Sequence, residues 1–476
     1  MDTHMIAALE RAMDDIWTIA RRFGLDPYPT HFELVPAAIM YEFGAYGLPG
    51  RFSHWSFGKG YYRMKTQYDY GLSKIYEMVI NNDPAYAFLM ETNGILQNKL
   101  VIAHVLGHVD FFHHNAYFQH TNRGMLDATS LHAERIRRYE FEHGTRTVET
   151  FLDAALSIQE HIDPHLRFRR RDADEHRTAP RSAPTSEFED LWDLGEEGAA
   201  ARAQERRERE KAAHAPAHIP PEPEKDVLRF LLEYAPHLAD WQRDVLDIVR
   251  TEMLYFVPQM QTKIMNEGWA SFWHARILRE LELSDDEVVD FAELNAGVVA
   301  PHRRSINPYH LGLKIFEDIE RRWDNPTAEE RERGREPGRG RAQIFEVRGL
   351  DNDLSFLRNY LTKDLVDELD LYLYERQGNE WVIVEKDWEK VRDGLLEEMT
   401  NFGNPTIVVE DGDYHHNREL YLVHRHEGRD LDTVYADKTL QYLHQIWGRP
   451  VHIETILEGD RLLLSYDGTK SSRTEL

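Results

Sequence analysis

The residues best able to do chemistry lie in two short stretches. The first is His104-Val105-Leu106-Gly107-His108. Side chains at i and i+4 share one helical face, with Cβ atoms roughly 6 Å apart. Two imidazoles so placed can close on one Zn²⁺ at about 2.0–2.1 Å. The spacing alone is unselective, because His161/His165 and His214/His218 repeat it. The setting separates the first pair. LVIAHVLGHVDFF reads as an apolar, buried helix, and an imidazole there costs ~1–3 kcal/mol unless a metal, a carboxylate or a core hydrogen bond partners it. The second stretch is NEGWASFWH, Asn266 to His274. Glu267, Ser271 and His274 fall at i, i+4 and i+7 on one face, opposite Trp269, Phe272 and Trp273. A salt-bridged Glu and a hydrogen-bonded His would satisfy the same pattern.

Together the stretches offer a ligand set of His104, His108 and Glu267. Two His and one Glu leave a coordination position for water, the open arrangement of catalytic zinc. The same donors suit Fe(II), and Mn is a further option. His274 could complete the set or orient a ligand from behind. Hydrolysis also needs a general base near the water. Zinc peptidases with an H-E-x-x-H helix place a Glu directly after the first His, whereas here that position is Val105. Asp110, Glu91 and His113 are substitutes, and Asp110 and His274 are the residues expected to orient ligands or move protons. His113, His114, His120 and His132 follow closely, and one of them could replace His274. His415, His416, His424 and His426 read as surface residues. There is no Gly-rich phosphate loop and no Ser nucleophile elbow.

These residues need rigid elements. The chain has 476 residues, 57 Lys+Arg against 84 Asp+Glu, and 0 Cys. That length predicts two to four domains. The absent Cys removes disulfides, Cys-ligated zinc and thiol catalysis. The net charge of −27 opposes binding to nucleic acid or anionic membranes. No apolar run reaches the ~18 residues of a membrane span, and the acidic N-terminal stretch lacks a signal-peptide core. A cytoplasmic protein is expected.

Ile6, Leu9, Met13, Ile16 and Ile19 predict a helix over 5–24, broken at Gly24. The aromatic stretch from Arg51 to Ile80 is expected to be mostly helical after Gly60. Further helices are expected over 97–112, 128–139 and 148–162. The fold class expected is a mainly α-helical core with a smaller C-terminal α+β module. Residues 1–165 form the first half of the core. Residues 166–225, charged and rich in Ala and Pro, read as a disordered linker. Residues 226–325 form the second half and carry NEGWASFWH. A charged loop, 326–345, follows, and 346–476 form the α+β module, with a hairpin around Gln377-Gly378-Asn379.

RFSHWSFGKGYYRMKTQYDYGLSKIYEMVINNDP, LVIAHVLGHVDFFHHNAYF, KIMNEGWASFWH, INPYHLGLKIFEDI and IWGRPVHIET, in this order, resemble the SpoVR family (stage V sporulation protein R-like). The resemblance covers nearly the whole chain outside the two charged breaks. It implies a role in spore cortex or cell-envelope (peptidoglycan) assembly, or in stress response. It also implies partnership with a PrkA-type serine protein kinase and a von Willebrand factor A-like protein. A weaker likeness, to zinc-peptidase-like families that pair an HExxH helix with a later EGWA helix, implies a metal at His104, His108 and Glu267. Val105 departs from that pattern at the catalytic Glu. The readings left standing are a metal-dependent hydrolase, a non-catalytic scaffold partnering the kinase, and a redox or oxygenase-type iron site.

Overall fold

The computed structural model describes residues 3–46, 50, 52, 54–69, 77–165, 219–301, 305–377 and 380–476. The chain forms two compact units, one of residues 1–150 and 251–404, the other of 151–250 and 405–476. No helix among the described residues is long and apolar enough to cross a membrane.

The first unit opens with α1 (Thr3–Arg22), β1 (Thr30–Val35), α2 (Ala37–Tyr46), α3 (Trp55–Asp69), β2 (Met78–Ile80), β3 (Ala85–Met90), α4 (Ile95–His114) and α5 (Met125–His143). Helix α6 (Thr145–Leu156) crosses into the second unit, which holds α7 (Val227–Tyr234), and α8 (Asp240–Gln261) leads back. The first unit continues with α9 (Lys263–Glu280), α10 (Asp285–Val298), α11 (Pro308–Asp324), α12 (Ala328–Glu332), α13 (Gly340–Leu350), α14 (Asp353–Tyr360), α15 (Lys363–Glu368), β4 (Leu373–Gln377), β5 (Glu380–Glu385) and α16 (Trp388–Met399). The charged stretch 326–345 thus contains α12 and the start of α13, and 346–404 belong to the helical unit.

Helix α4 is the centre of the first unit. It is buried on every side from Leu100 to Phe112, as expected of a helix apolar all round. Helices α1 and α9 pack on it, and α11 packs on the far side of α9. Two glycine contacts allow these approaches. A Cβ on Gly107 would stand 2.7 Å from Ala270 Cα, and one on Gly268 would run into Gly312. The sheet beside α4 has the order β1-β3-β2, with β1 parallel and β2 antiparallel to β3. β2 corrects the helical expectation at the end of the 51–80 stretch. The expected helix at 5–24 is α1, ending before Gly24 at φ +82. The hairpin appears as β4 paired with β5.

The second unit carries a five-stranded sheet, order β10-β9-β8-β7-β6, of β6 (Ile407–Tyr414), β7 (Glu419–His424), β8 (Val451–Leu457), β9 (Asp460–Tyr466) and β10 (Ser471–Glu475). α17 (Thr433–Trp447) joins the parallel pair β7 and β8 and covers one face. Burial alternates strictly along β8, the mark of a half-covered strand. Of the expected linker, 166–218 lie outside the described residues. Glu224 exchanges backbone hydrogen bonds with Val409.

The α4–α9 contact carries a prediction. Gly107→Ala should destabilise the protein by about 1–3 kcal/mol, the cost of an overpacked core. Gly58→Ala, whose Cβ meets nothing within 4 Å, should be neutral or stabilising. Thermal unfolding midpoints of the two variants check this.

Candidate metal centre

Helix α4 begins at Gly94, whose N–H is held by the Gln97 side chain, and carries His104 and His108 into the core. Helix α9 is fixed at its start by Asp353, which accepts from Ile264 N–H at 2.8 Å and Met265 N–H at 2.9 Å. Asn266 and Glu267 follow within that turn. The Gly107–Ala270 contact then sets Glu267 beside both imidazoles. Glu267 Oε2 lies 3.5 Å from His104 Nε2 and 3.4 Å from His108 Nε2. A fourth group joins from the sheet, Glu77, one residue before β2. Its Oε1 lies 3.5 Å from His104 Nε2. One donor atom from each of these four residues lies within 4.8 Å of every other.

The hydrogen bonds behind the rings fix their tautomers. His108 Nδ1–H donates to Asn266 Oδ1 at 2.8 Å, which leaves Nε2 a lone pair. His274 Nε2–H donates to Asn295 Oδ1 at 2.8 Å, so its Nδ1 is an acceptor. Burial, the largest cause, lowers His274 to about 3, which keeps it neutral. His104 Nδ1–H therefore donates to His274 Nδ1 at 2.7 Å, and His104 Nε2 is also a lone pair. Both imidazoles thus turn Nε2 toward the Glu267 carboxylate, and His104 Nε2 also faces Glu77. His104 Nε2 and Glu267 Oε2 are buried and have no hydrogen-bond partner, each a cost of about 1–3 kcal/mol when unmet. Ligands at about 2.05 Å around a tetrahedral ion stand about 3.3 Å apart, close to the 3.4 and 3.5 Å observed.

The electrostatics point the same way. Burial works to raise the Glu267 carboxyl, but His104 and His108 hold it well below the usual carboxylate range. Burial works to lower His108, but Glu267 and Glu77 push it up overall. The site therefore favours a positive charge between these groups. Tyr309, at the start of α11, stacks on His104 with centroids 5.7 Å apart. Its hydroxyl donates to Glu77 Oε1 at 3.0 Å. Burial, with Glu77 and Glu267, pushes the phenol far up, so it remains a donor.

The expected residues fall into two groups. His104, His108 and Glu267 come together, with His274 behind His104 as an orienting residue. Asp110 does not join them. Its carboxylate accepts from Asp26 N–H, Trp269 Nε1–H and Arg348, so it braces the core. Glu91 is exposed at the end of β3. His113 and His114 gather instead with Asp26 in a second, more exposed group. Ser271 is buried without a partner for its hydroxyl. His424 is a correction, since it is buried and bonded to Thr455 at 2.9 Å. The sequence reading missed Glu77, Tyr309, Asn266 and Asn295. A cavity of about 980 Å³ opens onto Glu77, His104 and Tyr309.

The family model described as "SpoVR like protein" matches residues 3–404, and "SpoVR-like C-terminal domain" matches 405–458. The border between them coincides with the Asn404/Pro405 boundary of the two units. A curated relative, "Uncharacterized protein YcgB" of Escherichia coli (strain K12), is 30% identical over 490 residues, covering 94% of this chain and 91% of the relative. No solved structure matches. The two matches together run from residue 3 to residue 458, through both the HVLGH and NEGWASFWH stretches, and the chain belongs to the SpoVR family.

Proposed function

We propose that His104, His108 and Glu267 hold a zinc ion and that the site hydrolyses an amide. The carrying observation is that two buried imidazoles, held from behind by Asn266 and His274, both turn Nε2 toward the Glu267 carboxylate, at 3.5 and 3.4 Å. A zinc ion there supplies a Lewis acid that lowers the pKa of water toward about 7 and polarises a carbonyl. The protein's own groups supply the rest. Glu77 would take the role of the standard peptidase Glu that Val105 replaces. Its carboxylate, steered by the Tyr309 hydroxyl, is placed to take a proton from water in the site. His274 and Asn295 keep His104 in the tautomer that offers Nε2 inward. SpoVR membership directs the substrate class toward peptide amides of cell-envelope (peptidoglycan) material in the spore cortex or under stress.

Val105, in place of the standard Glu, favours a second reading. In it the ion staples a scaffold that serves a PrkA-type kinase and a von Willebrand factor A-like protein, and Glu77 is a fourth ligand.

Two experiments separate these. Protein purified without a His tag should contain one zinc per chain by elemental mass spectrometry. His108→Ala and Glu267→Gln should lose it, and His426→Ala should keep it. Folded, metal-free wild-type protein overturns the site. Glu77→Gln should retain zinc while amine release from peptidoglycan fragments falls about 10²-fold or more, the usual loss of a general base. Loss of zinc in Glu77→Gln, with no turnover in the wild type, establishes the scaffold reading.

A further inference from the structure

The carboxyl end of α4 holds a second convergence of ligating side chains. His113 and His114 close the helix, roughly 8 Å along its axis from His108. Asp26, in the connection between α1 and β1, reaches them both. Its Oδ2 lies 3.6 Å from His113 Nδ1 and 3.6 Å from His114 Nε2. One nitrogen of each ring and one carboxylate oxygen of Asp26 lie within 4.8 Å of one another. Ligands around a tetrahedral zinc ion stand about 3.3 Å apart, so the three groups need close by only about 0.3 Å at the measured contacts.

The three residues are held from behind. Asp26 N–H donates to the buried Asp110 carboxylate at 2.8 Å. Asn115 locks the end of α4 by donating to the carbonyls of Arg348 and Asp351. Tyr28 stacks on His113 with centroids 4.2 Å apart, and His113 Nδ1–H donates to the Asp26 carbonyl at 2.7 Å. His114 differs. Its Nε2 is buried and has no hydrogen-bond partner, because Asp26 at 3.6 Å and Asp110 at 3.9 Å stand beyond hydrogen-bond reach. Burial, and then Arg348, lowers the pKa of this ring, so it is neutral at pH 7. Arg348 pairs with Asp110 at 2.7 Å, whereas no Lys or Arg among the described residues pairs with Asp26. The carbonyl end of α4 adds a partial negative charge. An orphaned imidazole nitrogen, a second imidazole and an uncompensated carboxylate thus meet where a helix favours a cation.

We propose that Asp26, His113 and His114 form a second site for a first-row divalent cation, one that ties the α1–β1 connection to the end of α4. Imidazole donors select Zn²⁺, Ni²⁺ or Cu²⁺ over Mg²⁺ and Ca²⁺. Asp26 and both rings reach solvent, so the ion exchanges freely. On binding, His113 Nδ1 releases its proton to solvent, and the Asp26 carbonyl that accepted it becomes a fourth donor. Binding therefore tightens as pH rises. The site shares no ligand with His104, His108 and Glu267 and does not depend on the centre proposed there.

Calorimetric titration of the full-length protein with Zn²⁺ tests this, with zinc content measured before each titration. The wild type should take up a Zn²⁺ that excess Mg²⁺ does not displace and whose affinity increases with pH. Asp26→Asn and His114→Ala should each bind it at least about tenfold more weakly while keeping the zinc content and thermal midpoint of the purified protein. His108→Ala, which removes a ligand of the centre, should still bind it. Uptake unchanged in both Asp26→Asn and His114→Ala marks an adventitious ion only, on other surface histidines, and overturns the proposal. Protein purified without zinc whose uptake is lost in these two variants overturns the centre alone. Zinc-bearing protein with no further uptake overturns the second site alone.

Discussion

Helices α4 and α9 bring their backbones together because Gly107 offers no Cβ to Ala270, and that approach sets Glu267 beside His104 and His108. The Gly268–Gly312 contact repeats the device on the opposite side of α9 and brings Tyr309 over His104. The core aromatics Trp269, Phe272, Trp273 and Phe316 then fill the space around these narrow crossings. Large rings beside bare backbone keep interior density high without pushing the helices apart.

Desolvation makes this geometry chemically consequential. In water, two imidazoles and two carboxylates would each find hydrogen-bond partners and the cluster would mean little. Inside the first unit, the partners of the outer nitrogens are already assigned, through Asn266, His274 and Asn295. The inner nitrogens have only carboxylates to face. Lone pair against lone pair is repulsive, and the repulsion is relieved by a proton or a metal ion placed between them. A proton bridges one pair, whereas an ion answers all the donors at once.

Much of this was legible in the sequence, and the parts that were not share a cause. His104, His108 and Glu267 are found because helical spacing places the first two on one face and side-chain chemistry suggests the third. Asp110 is misplaced as a catalytic residue for a reason visible in helical geometry. It lies two residues beyond His108, about 200° around the helix, and so points to the opposite side. His274 lies about 10 Å along the axis from Glu267, which puts it behind His104 instead of beside it. Glu77 could not be read at all. It is delivered by a three-residue edge strand whose pairing is set by tertiary contact, and no spacing links it to α4. The same limit hid β10, exposed at all of its positions and therefore without the alternation that marks β8.

Asp110 and Glu267 together show why the cluster differs from an ordinary buried polar network. Both carboxylates sit in the same unit against the same two helices. Asp110 is fully buried, and its oxygens receive a backbone amide, an indole N–H and the Arg348 guanidinium. That is how a core accommodates a charge whose task is structural, with donors matched to acceptors and a counterion in contact. Glu267 Oε2 receives nothing from the protein. Lys263 approaches only its other oxygen, at 3.7 Å and from an exposed position. A fold able to satisfy Asp110 so completely had the means to satisfy Glu267. Two imidazoles, held from behind by Asn266 and His274, instead point Nε2 at that oxygen, and a positive charge there, a proton or an ion, would complete the arrangement.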